Sequence, residues 1–299
     1  MYRVYRSSSA SVGFAFLVAL VLCLFMPMQA QAQRNLPISF LIFDGLFSSQ
    51  DGTVYAAGGF ADTRVFRIDN TGRTTVVSDQ LSGPIDIAED AEGNLYVTNF
   101  NTASVSKITA DGQVSHFADV NPFPSGIVAD AAGNFYVTHF GEADPATGLG
   151  TGNSIVKVTA DGSTSVFTEG GLLSAPVGID IDENNNLYVG NLHNGELIKI
   201  DSNGQQELLV DLTGDEINFA IGHVEYVNGF VFATGIQDHA LFRINPRNGR
   251  VRSRDIEQRV RFPNGLSYNA QAGALYIADA FLSNPALTKI TSRRLQYAW

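Results

Sequence analysis

Short stretches of alternating apolar and polar residues recur along the chain between Asp44 and Thr291, and Gly-bearing turns separate them. Alternation with a period of two predicts a half-buried β-strand, because successive side chains of a strand point to opposite faces. Asn-Gly and Asp-Gly pairs between such stretches are strong signals of β-hairpins. The pattern therefore predicts short antiparallel strands joined by tight turns.

The predicted strands belong to a unit that occurs six times. Each unit opens with an aliphatic strand and an aromatic strand, and the six copies span residues 43–58, 83–99, 123–139, 175–191, 219–235 and 262–279. A second signature, which ends in Lys or Arg followed by Ile or Val, comes after each copy at 65–68, 105–108, 155–158, 197–200, 241–244 and 287–290. Four antiparallel strands, A to D, in each unit of about 40 residues predict an all-β fold, a six-bladed β-propeller with four-stranded antiparallel blades.

The sixth unit is incomplete, because SRRLQYAW follows Ile290 where the other units have a turn and strand D. The β-type segment PISFLIF at 37–43 precedes the first unit. We expect this N-terminal strand to complete the last blade, which would remove an exposed sheet edge. Residues 293–299 are the alternative. Six units leave no room for another domain, so residues 33–299 are predicted to form a single propeller domain.

The first 32 residues have the pattern of a signal peptide. Arg3 and Arg6 form a positive region, Val12 to Met28 an apolar stretch, and residues 30–32 (Ala-Gln-Ala) a small-x-small cleavage site. We expect cleavage after Ala32, a secreted or periplasmic protein and no stable membrane insertion; a transmembrane anchor is the alternative. The one cysteine lies in this segment, so the mature chain would have neither a disulfide nor a thiolate metal ligand.

The net charge of −11 is unfavourable for a nucleic-acid partner, because such a surface repels phosphates. We expect a monomer that binds no nucleic acid. One basic stretch stands out, since residues 247–261 hold six arginines. Their near-alternate spacing indicates the solvent face of an edge strand, where charge blocks aggregation between sheets. A polyanion site is the alternative.

The six copies resemble NHL repeats and, more broadly, the propeller superfamily of gluconolactonase (regucalcin) and strictosidine synthase. The wording FPNGLSYNAQAGALYIAD at 262–279 is similar to the blade opening of the lactonases. The resemblance covers Asp44 to about Thr291. It implies the fold but not one activity, since members of the superfamily include lactonases, lyases and non-enzymatic binding modules.

Antiparallel connectivity places the start of strand A and the end of strand B at one end of each blade, around what we call the channel mouth. A first ring of residues there precedes the strand-A glycine: Asp44, Ile85, Ser125, Val177, Ile221 and Asn264. In the lactonases that the chain resembles, a carboxylate in blade one joins an Asn and an Asp of other blades to hold a divalent metal that polarises an ester carbonyl. The resemblance thus implies Asp44 and Asn264 as ligands of one Ca²⁺ or Zn²⁺. Ordinary turn and cap roles for both are the alternative.

A second ring lies three residues past the strand-B aromatic: Gly58, Asn99, His139, Asn191, Gly235 and Asp279. Asn99, Asn191 and Asp279 suit ligand binding but are also common turn formers. His139 is the candidate general base, since an ordinary histidine pKa lies near 6.5; a metal ligand or a plain hydrogen-bonded histidine are the alternatives. The Gly-rich loop 140–153 carries Glu142 and is either a lid or a tolerated insertion.

His223 stands where the other units have an aliphatic residue, near the channel, so it is a candidate ligand-binding residue or a satisfied buried histidine. The Lys or Arg of each second signature recurs in every unit, whereas a site needs asymmetry. We therefore expect these six side chains to cover the blade surfaces with their alkyl stems.

Two functions fit this sequence. The first is a binding module that holds a small molecule, glycan or peptide at the channel mouth, through residues such as Ser125, His223 and Glu142. Apolar Val177 and Ile221 favour it, because they cannot ligate a metal. The second is a metal-dependent lactonase or esterase in which His139 relays protons. The sequence has no nucleophile elbow, zinc helix, Walker loop or dinucleotide fingerprint.

Overall fold

The computed structural model describes residues 43–69, 71–146, 149–213, 220–279 and 287–291. These residues form 23 β-strands in six antiparallel sheets and contain no helix. The innermost strands of consecutive sheets contact each other in chain order, and the first contacts the last, which closes the ring. The fold is an all-β six-bladed β-propeller, as the repeat predicts.

Each sheet, or blade, contains its strands in chain order from the axis outwards. The strands of blade one are β1 (Leu46–Ser48), β2 (Val54–Ala57), β3 (Val65–Ile68) and β4 (Thr74–Ser78). Those of blade two are β5 (Pro84–Glu89), β6 (Leu95–Asn99), β7 (Ser104–Ile108) and β8 (Val114–Asp119). Those of blade three are β9 (Pro124–Ala129), β10 (Phe135–His139), β11 (Ser154–Val158) and β12 (Thr164–Glu169).

The other three blades repeat this order. The strands of blade four are β13 (Pro176–Ile181), β14 (Leu187–Asn191), β15 (Glu196–Ile200) and β16 (Gln206–Asp211). Those of blade five are β17 (Ile221–Val227), β18 (Phe230–Gly235), β19 (Ala240–Ile244) and β20 (Val251–Asp255). The described part of blade six has three strands, β21 (Pro263–Asn269), β22 (Ala274–Asp279) and β23 (Leu287–Thr291).

The core lies between neighbouring blades, which explains why the strand-B segments are apolar on both faces. Every residue of β6, β10 and β14 is buried, because each of these strands is covered by a blade on either side. One cluster joins Tyr96 of blade two to Ile127, Phe135 and Val137 of blade three. The outermost strands are largely exposed by comparison.

The strand-C cations cover the blade surfaces, as the sequence predicts. The Nζ atoms of Lys107, Lys157 and Lys289 lie 5.3, 5.4 and 5.6 Å from the ring centroids of the strand-B tyrosines of their own blades. Contacts of a cation with an aromatic face at this distance are favourable. These side chains are therefore part of the repeated blade structure.

The predicted signal peptide and most of the predicted closing strand (37–43) lie outside the described residues, as do the alternative closing residues 293–299. Phe43 is described, and it is buried in a cluster with Leu46 and Phe66 of blade one and Ala278 of blade six. Among the described residues, no helix is long and apolar enough to span a membrane.

Candidate functional site

The strand-A glycine of the repeat allows neighbouring inner strands to approach closely. A Cβ atom at Gly126 would lie 2.2 Å from the carbonyl oxygen of Val177, and one at Gly265 would lie 2.2 Å from that of Asp44. No side chain fits at such distances unless the backbone moves. Two blades nevertheless have a side chain at this position, Asp86 in blade two and His223 in blade five.

The register identifies both residues. Val224 lies opposite Ala233, as Ile179 lies opposite Val189, so His223 occupies the position of Gly178. In blade two Ile87 lies opposite Val97, which puts Asp86 at the same position. The first-ring member of blade five is therefore Gly222 rather than Ile221. The sequence comparison placed blade five one residue out of register, because it aligned Gly222 with the repeat glycine.

Four polar side chains from four blades meet at the channel mouth. Asn264 of blade six donates a hydrogen bond from Nδ2 to Oδ1 of Asp44 in blade one, at 2.8 Å. His223 Nε2 lies 3.9 Å from Asp44 Oδ1, and His223 Nδ1 lies 4.0 Å from Asp86 Oδ1. Asp44 and Asn264, which the resemblance implies as ligands of one ion, are thus in direct contact, and two further side chains join them.

The two carboxylates decide the charge state of the imidazole between them. Burial lowers the pKa of His223, but the charges of Asp86 and Asp44 outweigh it, so the pKa lies above its ordinary value. Burial raises the pKa of Asp86 to about 6, although His223 and the backbone N–H of Ile127 act in the opposite direction. The two carboxylates of the cluster therefore favour the protonated form of the imidazole.

Below this cluster the channel encloses a cavity of about 240 Å³. Its walls are the inner strands of all six blades, and Asp86, Glu89, Asp180 and Glu225 supply four carboxyl groups. Among the described residues that line the cavity, His223 is the one with a basic side chain. The cavity is therefore strongly acidic.

Three of these acids accept hydrogen bonds from the next blade. Asp180 accepts one from the backbone N–H of Tyr226 at 2.5 Å, and Glu225 accepts one from that of Tyr268 at 2.7 Å. Ile127 donates to Asp86 at 3.1 Å. Burial raises the pKa of both Asp180 and Glu225; the charge of Asp86 raises that of Asp180 further, and the charge of Asp180 raises that of Glu225 further. Through these hydrogen bonds the three carboxyl groups connect neighbouring inner strands, which form no β-ladder with one another.

An apolar cluster lies at the channel mouth beside the polar one. Its buried members are Phe140, Ala175, Leu192 and Ile236, and Phe100, Val177 and Phe262 pack against them. These residues come from blades two to six, and side chains of five blades converge only near the propeller axis. Val177 belongs both to this apolar cluster and to the first ring.

The second ring anchors its own blades. The side-chain oxygens of Asn99, Asn191 and Asp279 accept hydrogen bonds from the backbone N–H groups of Ser82, Ser174 and Arg261 at 3.2, 3.0 and 2.7 Å. Each of these donors lies two residues before the first proline of strand A. The side chains of these three residues therefore hold the loop that leads into strand A of their own blade.

His139 is the exception in this ring, and the sequence of its blade explains it. The corresponding donor position in blade three is Pro122, which has no N–H to offer. His139 is 1% exposed, its Nδ1 lies 3.4 Å from the carbonyl oxygen of Ser154, and its Nε2 has no hydrogen-bond partner. Burial lowers its pKa to about 4. The expected pKa near 6.5 was wrong for this residue.

Ser125 and Glu142 lie apart from the polar cluster. Ser125 is buried, and its carbonyl oxygen accepts a hydrogen bond from Thr98 Oγ1 at 2.7 Å. Glu142 is exposed on the 140–153 loop, of which residues 147 and 148 lie outside the described part. A bridge between Ala143 and Gly150 folds this loop, and the N–H of Gly150 donates to His193 Nε2 at 2.9 Å.

The predicted metal ligands fit a divalent cation poorly. Asn264 turns its amide nitrogen to Asp44, so the amide donates a hydrogen bond where a metal needs its oxygen. Within the described ranges no group of three or more His, Cys, Asp or Glu side chains is arranged to hold a metal ion. Asp44 and Asn264 therefore form a hydrogen-bonded pair.

Sequence reasoning missed Asp86, Glu89, Asp180 and Glu225. Asp86 had a signal, because it replaces the repeat glycine, as His223 does. The other three lie on the channel side of strand A, where most copies have aliphatic or small residues. Correct alignment of the six copies by their strand-B residues was needed to recognise them.

Solved structures similar to this one include two kinds of propeller. The streptogramin B lyase structure has a TM-score of 0.62 at 17% identity, covering 85% of this chain and 96% of that one. A catalytically inactive His-to-Ala variant of virginiamycin B lyase from Staphylococcus aureus, solved with quinupristin, has a TM-score of 0.60 at 17% identity, covering 84% and 85%. The nidogen/laminin complex gives 0.63 at 18%, covering 77% and 85%.

The sequence model of the virginiamycin B lyase family matches residues 42–285, and the chain belongs to this family. No curated protein matches the sequence. The family is thus a different one from gluconolactonase, although both share the propeller fold that the repeats predicted.

Proposed function

We propose that this member of the virginiamycin B lyase family binds a small molecule at the channel mouth. The ligand would place a positively charged group against Asp44 and Asp86 and an apolar part against the cluster around Phe140. The observation that carries this proposal is the convergence of Asp44, Asp86, His223 and Asn264 from four blades. Asp86 and His223 occupy a position that the fold fills with glycine, so blade construction does not account for them.

The charge of the site supports a cationic group. Asp44 retains 19% side-chain exposure, so it is a carboxylate that a ligand can reach, whereas burial raises the pKa of Asp180 and Glu225 in the cavity below and favours their neutral form. The apolar residues beside them suit the rest of such a ligand, since small-molecule sites are mostly apolar with a few placed polar groups. The structure with quinupristin provides a probe, because that protein is similar to this one over most of its length.

The experiment is calorimetric titration with quinupristin and with a panel of small amines, using the wild type, Asp44→Asn and Asp69→Asn. Asp69 is an exposed carboxylate in a turn of the same blade, so its variant has the same change of charge. We expect Asp44→Asn to weaken binding about ten-fold, the usual effect of losing a charged hydrogen bond. Equal affinities of the two variants for every binder would contradict the proposal.

A lyase activity is the second candidate, and His223 favours it. An imidazole whose protonated form is favoured by two carboxylates can donate a proton to a leaving group. Chromatography of quinupristin after incubation with the protein tests this activity. His223→Gln should abolish conversion, and His116→Gln, a change of an exposed histidine, should not. An unchanged chromatogram with the wild type rejects the lyase for this substrate.

A metal-dependent lactonase has weaker support, because Asn264 turns its nitrogen to Asp44.

Export also remains a prediction from residues 1–32. N-terminal sequencing of protein secreted by an expression host would test it, with Gln33 expected as the first residue.

A further inference from the structure

A buried threonine stands near the end of strand B in three of the six blades. The residues at this position, directly before the second ring, are in blade order Ala57, Thr98, Thr138, Gly190, Thr234 and Ala278. All three threonines are 0% exposed. Because the other blades have alanine or glycine here, blade construction does not require a hydroxyl group at this position.

Each of these hydroxyl groups connects two neighbouring blades in the same way. It accepts a hydrogen bond from the backbone N–H at the strand-A glycine position of its own blade, and it donates one to the carbonyl oxygen of the first-ring residue of the next blade. In blade five the N–H of His223 donates to Thr234 Oγ1 at 2.9 Å. Thr234 Oγ1 in turn donates to the carbonyl oxygen of Asn264 at 2.7 Å. The hydroxyl thus acts as acceptor and donor at once.

The partners of the hydroxyl differ between blades two and three. Thr138 is hydrogen-bonded to Gly126 and Val177 at 2.8 and 2.9 Å, and neither of these residues belongs to the polar cluster. In blade two the N–H of Asp86 donates to Thr98 Oγ1 at 3.1 Å. One partner of Thr98 is therefore a member of the polar cluster, whereas Thr138 connects two blades without touching it.

Thr234 differs from both, because its two partners are members of the polar cluster. His223 Nε2 lies 3.9 Å from Asp44 Oδ1, and Asn264 Nδ2 lies 2.8 Å from the same oxygen. A hydroxyl that is bonded to the backbone of His223 and of Asn264 fixes the spacing of the two inner strands that carry these side chains. It therefore controls where both side chains lie relative to the Asp44 carboxylate.

We propose that Thr234 is a positioning residue of the channel mouth, whose hydroxyl holds His223 and Asn264 against Asp44. Thr234 is fully buried, so it acts through these neighbours and not by touching a ligand. Removal of the hydroxyl leaves an N–H and a carbonyl oxygen without a partner, and a buried group in that state is costly. The strands would shift to relieve it. The effect on affinity rests on the function proposed above, whereas the effect on the geometry of the cluster does not.

The charge of His223 reports this geometry without any ligand. The titratable groups that face the imidazole are Asp44 of blade one and Asp86 of blade two. Asp180 and Glu225 line the cavity below. Burial lowers the pKa of His223, whereas the charges of Asp86 and Asp44 raise it. A displaced imidazole would lose part of this attraction, which weakens with distance. We therefore expect the pKa of His223 to fall when the Thr234 hydroxyl is removed.

The test is an NMR titration of the imidazole protons of the full chain in the wild type, Thr234→Ala and Thr138→Ala. Blades one and six have alanine at this position, so the fold accepts it, and both variants lose the same kind of hydrogen-bond pair. The His223 signal is identified by its absence in His223→Gln. We expect a lower His223 pKa in Thr234→Ala and the wild-type value in Thr138→Ala. An unchanged pKa in Thr234→Ala, or the same fall in both variants, would overturn the inference.

Thr234→Ser is the second variant, because it removes a methyl group and keeps the hydroxyl. It should retain the wild-type pKa of His223, and a fall in this variant would also overturn the inference. Calorimetry with quinupristin and the small amines adds the affinity, which should be about ten-fold weaker in Thr234→Ala and close to the wild type in Thr234→Ser. A wild type that binds none of these compounds, together with a lower His223 pKa in Thr234→Ala, would reject the proposed function and support the positioning role.

Discussion

His139 and His223 are both buried at the channel-mouth end of the propeller, but their surroundings have opposite effects. His139 has a single long contact, to the carbonyl oxygen of Ser154, and burial lowers its pKa to about 4. His223 lies about 4 Å from each of two carboxylates, and their charges keep its pKa above the ordinary value. One histidine is held neutral by burial in its blade, whereas the protonated form of the other is favoured by residues of two other blades.

The same contrast separates the two rings. Asn99, Asn191 and Asp279 of the second ring are polar because a loop N–H of their own blade needs an acceptor. Asp44, Asp86 and His223 meet across blades, and the repeat does not require them. A polar residue at a strand end is therefore no evidence of a site by itself. A candidate site is marked by polar side chains of several blades that meet at one point and that the repeat does not require.

The largest expected effect comes from removing the charged histidine. His223→Leu leaves Asp44 and Asp86 without their cation, and breaking a buried ion pair in this way costs about 3 to 5 kcal/mol. Urea unfolding at pH 7 measures the loss. The double variant His223→Leu with Asp86→Asn should recover much of it, since the buried charge is then absent. A loss of less than about 1 kcal/mol in the free energy of unfolding of the single variant would contradict the contrast between His223 and His139.

An acid titration addresses the neutral histidine. The folded-state pKa of His139 is depressed to about 4 from 6.5, so its contribution to stability is complete above pH 6.5 and is lost as the pH falls towards 4. The shift corresponds to about 3 kcal/mol. His139→Asn should show a shallower fall in the free energy of unfolding over this range, and the exposed His116→Asn should behave like the wild type.

His223 should have the opposite dependence. Because its folded-state pKa is raised, its contribution is present below pH 6.5 and is lost as the pH rises through the folded pKa. NMR titration of the imidazole protons separates the two residues directly. A single common pKa for His139 and His223 would contradict the contrast drawn between them.

The smallest effect is expected in the second ring. Asn191→Ala removes the acceptor for Ser174 and the donor to the carbonyl oxygen of Leu172, at a cost of about 1 to 2 kcal/mol. It should leave affinity at the channel mouth unchanged, whereas Asp44→Asn changes affinity. Denaturation and calorimetry on the same samples give both values, with exposed Asn203→Ala as the control. A loss of affinity in Asn191→Ala would show instead that the second ring is part of the binding site.

The sequence predicted the fold well because strand alternation and turn glycines recur six times, and each copy supports the others. The resemblance also brought Asp44 and Asn264 together, although as ligands of a metal ion rather than as hydrogen-bond partners. The role of His139 was not predictable in the same way, because Pro122 acts on it through a hydrogen bond between loop and strand. The link between Asp86 and His223 was missed for another reason, as a shift of one residue in blade five hid that His223 also replaces the repeat glycine.

The close approach at the strand-A glycines has a consequence for how such a ring can change its number of blades. Blades two and five stand diametrically opposite in a ring of six, which lets the side chains of Asp86 and His223 face each other across the axis. In a ring of five or seven, no two blades are diametrically opposed. Gain or loss of a unit by duplication would therefore change the angle at which Asp86 and His223 meet across the axis.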